Sequence, residues 1–244
     1  MIFAAGLGTR LKPITDTIPK ALLPLNGKTL LQYQIESLKK AGITEMVVNV
    51  HHFPDMIIHY LQENNNFGCT IHISDERDRL LDTGGGLLKA RRLLQDDTFL
   101  ACNVDILSNI NIPQLFHAHT NAPNAPIATL VVSERQTQRY LLFDETNNLK
   151  GWINIATGET RPCSLTHTGY LHPLAFSGMQ ILSPMIFNLL EEGKGKDRFS
   201  LIDAYLSICN TESVKAFEPA DYRMMDVGKI DHLKEAEQFA ADIY

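Results

Sequence analysis

The chain has 244 residues, 44% hydrophobic and 20% charged, with a formal net charge of −6 and a pI near 5.8. These are ordinary globular values, so disorder is excluded, and the acidic balance excludes a nucleic-acid surface. An anionic substrate must therefore meet a local basic pocket. The length suits one large α/β domain, two small domains being the alternative. Cys69, Cys102, Cys163 and Cys209 are scattered without a C-x-x-C pair, which predicts reduced thiols in a cytoplasmic protein. No stretch is long and apolar enough to span a bilayer, and the N-terminus lacks a signal peptide's charged start, so no membrane partner is expected.

Residues 1–5 predict a first strand that stops at Gly6. The next segment holds Gly6, Gly8, Arg10 and Lys20 with no acid before Asp16, a cationic loop whose glycine N–H groups can point into one concavity and suit a polyphosphate. It is not G-x-G-x-x-G, because Leu11 stands in place of the third glycine. Nor is it a Walker A loop, because the lysine comes ten residues after Arg10, between Pro19 and Ala21. An ordinary turn is the alternative.

Residues 29–40 place Leu30, Leu31, Ile35 and Leu38 on one helical face, with Thr29 and Gln32 at capping-box spacing and Gly42 as a stop. Residues 46–50 read as a strand, 54–62 as a helix and 70–74 as a short strand, the alternation of a parallel sheet with helices on both faces. His51 and His52 are adjacent on an extended chain and point to opposite faces, which argues for loop or packing roles and against a shared metal. Asp82-Thr83-Gly84-Gly85-Gly86 opens a helix running through Leu94. Its glycines would expose N–H groups at the positive end of the dipole, the alternative being a flexible loop capped by Asp82 or Thr83.

Residues 99–104 read as a buried strand. Asp105 follows at its carboxyl end, where ligands sit in open α/β sheets, although a lone Asp there also suits a turn. Further on, residues 112–120 predict a helix, 127–132 a strand, and 140–153 a hairpin around a polar turn, with Trp152 as packing. Residues 176–182 predict a strand bulged at Gly178. Helical patches follow at 184–190 and 201–209, joined by a solvated charged loop over 191–197. Strands at 214–217 and 222–225 end at Asp226-Val227-Gly228, and a helix at 230–240 closes the chain.

The run G-L-G-T-R-L-K-P-I-T, then P-K-A-L-L-P-L, then Gly27 and a helix carrying Leu30 and Tyr33, resembles the signature of the sugar-1-phosphate nucleotidyltransferases. The resemblance extends from Gly6 to Gly228. It implies a three-layer α/β/α, Rossmann-like (GT-A-like) domain over residues 1–244 with a mixed, mainly parallel sheet, residues 1–110 forming the nucleotide half and 111–244 the sugar-phosphate half. It also implies a few more residues ahead of Ile2 in most of the family.

The expected substrates are an NTP and a sugar 1-phosphate, with Mg²⁺ as cofactor. Arg10 would hold the leaving pyrophosphate and Lys20 would stabilise charge at the reacting phosphates. Ala5, Gly6, Gly8, Thr9, Asp82, Gly84, Gly85 and Asn103 would contact the nucleotide, and Gly178 the sugar. Asp105 and Asp226 would hold the metal. An empty carboxylate pair about 4 Å apart repels by roughly 4 kcal/mol at an effective dielectric of 20, which a divalent cation removes.

The D-T-G-G-G form is similar to that of uridylyltransferases acting on N-acetylmuramate 1-phosphate, which points to UTP. A cytidylyl- or guanylyltransferase, or a catalytically silent nucleotide-sugar-binding subunit, is the alternative. The chain departs from the family at two places. The hairpin lysine that grips the sugar phosphate is replaced by the run Trp152-Ile-Asn-Ile-Ala, for which Arg139 or Arg161 would compensate, and Lys229 stands where threonine is usual. A monomer or a simple homodimer is expected.

Overall fold

The structure is a computed structural model and describes residues 1–162, 169–192 and 197–244. Cys163 and part of the charged 191–197 loop lie outside the described residues. In chain order the elements are β1 (Ile2–Phe3), β2 (Pro24–Leu25), β3 (Lys28–Thr29), α1 (Leu30–Lys40), β4 (Glu45–Val50), α2 (Pro54–Glu63), β5 (Thr70–Asp75) and α3 (Asp82–Lys89). There follow β6 (Phe99–Asn103), β7 (Ile106–Ser108), α4 (Ile112–Thr120), β8 (Ala128–Ser133), β9 (Arg139–Phe143), β10 (Leu149–Asn154) and β11 (Glu159–Arg161). The chain ends with β12 (His172–Leu182), α5 (Ile186–Glu192), α6 (Leu201–Ile208), β13 (Val214–Phe217), β14 (Met224–Asp226) and α7 (Leu233–Ile243). This is the expected α/β class with a mixed sheet.

The chain divides into two compact units. The first comprises Met1–Asp82, Ala101–Ile112 and Arg223–Tyr244; the second comprises Thr83–Leu100 and Pro113–Tyr222. In the first, β1 lies between β4 and β6 and β5 flanks β4, all in parallel register: Ile2 sits opposite Val48 on one side and Cys102 on the other. Both faces of β1 and β4 are covered, so Met46, Val47, Val48 and Val50 form a near-continuous apolar run rather than an alternating one. Helix α1 forms as its periodicity predicts. Thr29 Oγ1 accepts the N–H of Gln32 at 3.1 Å. At the other end Gly42, with φ of +89°, closes the helix: its N–H reaches the Lys39 carbonyl and that of Ile43 the Leu38 carbonyl. Only half of the expected capping box exists, because the Gln32 side chain turns to Glu36 and Tyr60.

In the second unit, β12 pairs antiparallel with β8 and β9, β10 pairs antiparallel with β9 and β11, and β13 joins β8 in parallel. The register of β12 on β8 slips between Phe176 and Gln180, around Gly178 at φ +73°, which is the predicted bulge.

Three local expectations are corrected. The first strand is shorter than residues 1–5, with ladder pairing only at Ile2 and Phe3. The helix opening at Asp82 ends at Lys89, and a separate 3-10 turn covers Arg91–Leu93. The closing helix begins at Leu233 after a 3-10 turn over Ile230–His232.

Candidate active site

The loop after β1 is wound rather than open. Three 3-10 turns, Thr9–Leu11, Ile14–Asp16 and Lys20–Leu22, fold it back on itself. Gly8 takes φ +63°, and a Cβ there would lie 2.8 Å from Thr15 Cγ2 and 3.2 Å from Lys20 Cβ, so no other residue fits the crossing. Thr15 Oγ1 donates to the Gly8 carbonyl at 2.9 Å, and Leu11 is fully buried beneath the loop. This anchoring leaves Gly6, Thr9 and Arg10 exposed or half-exposed, while Ala5 is buried where the strand ends.

Lys20 is buried, and its ammonium bonds the Asp105 carboxylate. Asp105 lies just beyond β6 and directly before β7, and β7 pairs antiparallel with β14 so that Ile106 faces Asp226. The Val227 N–H also donates to the Asp105 carbonyl at 2.9 Å. Two acids distant in the chain therefore become neighbours through one three-residue ladder. Residues on either side of β14 bind β7 and the residue after it. The Tyr244 hydroxyl lies 3.3 Å from both the N and the O of Ser108, and Arg223 N donates to Asn109 Oδ1 at 2.8 Å.

Gly228 completes the cluster. A Cβ added there would lie 2.7 Å from Asp226 Oδ1 and 2.8 Å from Arg10 Nη2, so the guanidinium and the carboxylate converge over the glycine backbone. Asp226 Oδ1 is buried and has no hydrogen-bond partner among the described residues. A buried carboxylate oxygen left unpaired is costly, and its chemistry is that of a hard ligand to a divalent cation. No group of three or more His, Cys, Asp or Glu that could hold a metal occurs among the described residues.

His51 and His52 take separate partners, as expected. His51 Nδ1 lies 2.7 Å from the Glu76 carbonyl and His52 Nε2 lies 2.9 Å from the Thr15 carbonyl, where a ring N–H donates in each case. Asn103 ends β6, half-buried. Asp82 is exposed or half-exposed with φ +63°.

In the second unit the N–H groups of Gly84 and Gly85 are not exposed as expected. Gly84 and Gly85 are buried, and their N–H groups donate to the Phe199 carbonyl at 2.9 and 3.4 Å. The Phe199 ring overlies Gly84 where a Cβ would be, and Thr83 Oγ1 accepts from Leu201 N at 2.9 Å. These glycines permit close packing and do not present free donors. In the same unit, Arg161 is engaged by Glu159 and Asp203, each at 2.9 Å, and stacks over Trp152. Both ion pairs are partly exposed.

Sequence reasoning did not assign Asn49, Thr15 or Glu76 to the site. The available signal was a polar residue inside the apolar run of β4 and an acid just beyond the carboxyl end of β5.

Residues 1–151 match the nucleotidyl transferase family. The chain is 33% identical over 193 residues to an N-acetylmuramate alpha-1-phosphate uridylyltransferase of Caulobacter vibrioides, covering 76% of this chain and 75% of that protein. It is 30% identical over 250 residues to the Neisseria meningitidis serogroup B enzyme of the same name, covering 98% and 97%. Two solved structures share the fold: a UDP-glucose pyrophosphorylase complexed with UDP-glucose and the inositol-1-phosphate CTP transferase of T. maritima. Both have a TM-score of 0.78; the first is 21% identical and covers 99% of this chain and 97% of its own, the second 17% identical and covers 99% and 94%. A family match over more than half the chain and a relative aligned along nearly its whole length agree with the motifs at Gly6–Lys20 and Asp226–Gly228: the chain belongs to the nucleotidyl transferase family, as a sugar-1-phosphate nucleotidyltransferase.

Proposed function

We propose that the enzyme transfers a uridylyl group from UTP to N-acetylmuramate 1-phosphate or a related sugar 1-phosphate, releasing pyrophosphate, with Mg²⁺ as cofactor. The observation that carries the reading is the convergence of Arg10, Lys20, Asp105 and Asp226 around one loop and one short ladder. The uridylyl and N-acetylmuramate assignments rest on the two relatives of that name. Among other relatives is a mannose-1-phosphate guanyltransferase, so the base is the open choice within the fold.

An oxygen of the sugar phosphate attacks the α-phosphorus in line, and the bond from that phosphorus to the bridging oxygen of the pyrophosphate breaks. The nucleophile is already an anion near neutral pH, so no general base is required, and the work is positioning and charge neutralisation. Arg10 is exposed at the loop's edge and would bind the departing pyrophosphate. Lys20, already fixed on Asp105, would face the charge that develops at the reacting phosphates. Asp105 and the unpaired oxygen of Asp226 would hold Mg²⁺, which when bound supplies charge neutralisation between the two phosphates. Catalysis as a monomer or simple homodimer in the cytoplasm belongs to the same proposal; no helix among the described residues is long and apolar enough to cross a membrane.

Pyrophosphate release across four NTPs and a panel of sugar 1-phosphates, with Mg²⁺ and with chelator, tests it. Release only with UTP, only with the N-acetylmuramate or a related sugar phosphate, and abolished by chelator is the expected result. Asp105→Ala and Arg10→Ala should each lower turnover at least about 100-fold. Near-normal turnover of either variant would remove these residues from the site, and release with CTP or GTP alone would overturn the uridylyl assignment.

A further inference from the structure

The first unit buries a second polar system, apart from Arg10, Lys20, Asp105 and Asp226. Glu76 is fully buried just beyond β5, and Asn49, 2% exposed, sits in β4 directly opposite Phe3. The Ala4 N–H leaves the β-ladder and donates to Asn49 Oδ1 at 2.7 Å, Asn49 Nδ2 donates to Glu76 Oε1 at 2.7 Å, and Leu81 N–H donates to Glu76 Oε2 at 3.2 Å. The chain of bonds begins one residue before Ala5 and ends one residue before Asp82. It therefore joins the two places in this unit from which the nucleotide-contacting segments depart.

The order of donors and acceptors is fixed. A backbone N–H only donates, so the Asn49 atom facing Ala4 must be its oxygen. That turns Nδ2 toward residue 76, where an acceptor is required, and Leu81 N–H requires a second acceptor on the same side chain. An ionised carboxylate accepts at both oxygens; a glutamine cannot. In a buried network one reversed partner leaves two donors facing each other, and such a network is costly unless fully satisfied.

We propose that Glu76 and Asn49 are positioning residues for the NTP: the carboxylate orients the Asn49 amide, the amide sets the direction in which the chain leaves β1 into the Gly6–Thr9 loop, and the second oxygen fixes the approach to Asp82. Neither side chain touches the reacting atoms. The proposal rests on the reading of that loop and Asp82 as nucleotide contacts, and it predicts an effect on NTP binding separate from chemistry and from the sugar phosphate.

The test is a charge-relocation cycle. Glu76→Gln sets a donor against either Asn49 or Leu81 N–H, and Asn49→Asp sets two carboxylates against each other. The double variant Asn49→Asp/Glu76→Gln restores the three bonds from Ala4 to Leu81. The introduced aspartate accepts from Ala4 N–H and from the amide nitrogen of the introduced glutamine, and the amide oxygen of that glutamine accepts from Leu81 N–H. With steady-state pyrophosphate release as readout, each single variant should raise the NTP KM about tenfold with the sugar-phosphate KM within about twofold of the parent, and the double variant should return the NTP KM to within about threefold.

An unchanged NTP KM in both single variants, or a double variant no better than either, overturns the proposal. A parallel rise in both KM values with no rescue also overturns it, by making the network merely structural. If the single variants do not fold, the double variant decides: folded with a near-parental NTP KM supports the relay, and unfolded or weak in NTP refutes it. Absence of turnover in the unaltered enzyme would instead defeat the proposed function, whereas an active parent with indifferent variants defeats only this inference.

Discussion

At the scale of the residue, the site depends as much on atoms that are absent as on those present. Gly228 has no side chain where Asp226 Oδ1 and Arg10 Nη2 meet, and a methyl group there would stand 2.7 and 2.8 Å from them. Gly228→Ala should therefore displace the guanidinium or turn the carboxylate and lower kcat/KM by about 100-fold, because misplacement of this size defeats near-attack geometry. Thermal unfolding of the variant should change little, since the long Arg10 side chain can move away. Loss of activity only in proportion to loss of folded protein would count against the reading. The motif Asp-x-Gly was legible in the sequence, and the convergence of Arg10 upon its glycine was not, because no local pattern relates residue 10 to residue 228.

At the scale of the element, α1 and α3 show where periodicity suffices and where it fails. Helix α1 has a threonine cap, an apolar stripe and a glycine stop that agree with one another, so its limits follow from sequence. Helix α3 shares the apolar period, but its glycines have two available uses, to bare the backbone to a ligand or to admit a close neighbour. Phe199 takes the second. Gly84→Ala should destabilise the protein by about 1–3 kcal/mol, the usual cost of forcing extra atoms into a packed site. A lowered urea midpoint with an unchanged m-value would bear this out, and an unchanged midpoint would show the contact to be slack. The strands β7 and β14 that carry the two acids are three residues each, too short for an alternating pattern to reveal their pairing.

At the scale of the whole molecule, stability carries a pH signature from His119. Its ring is buried on α4, with Nδ1 2.9 Å from Thr129 Oγ1, and burial holds its pKa below the ordinary 6.5. A depressed pKa means that the folded state resists a proton the unfolded chain accepts. The contribution is complete above 6.5 and is lost as pH falls through the folded value. In urea titrations at about pH 7 and about pH 5, the unaltered protein should lose more stability than His119→Asn, so the difference between them narrows on acidification. A constant difference would mean that the histidine does not titrate differently on folding.

Read along the chain, the residues declare the local chemistry of this protein: a cationic glycine loop, an acid after a buried strand, an Asp-x-Gly near the end, and the alternation of strands and helices that makes an α/β fold. These are legible because each is a property of adjacent residues or of a repeating period. Which of those groups lie together is decided by the fold alone. The Arg223–Tyr244 segment returns to the unit that begins at Met1, β14 pairs with β7, and Asp226 thereby stands beside Asp105 and its lysine. The fold likewise commits Gly84 and Gly85 to Phe199, and ties the exit of β1 to Leu81 through Asn49 and Glu76. Burial is the physical reason: once water is excluded, each donor, acceptor and charge must be answered by whatever the fold brings near, however distant in the chain.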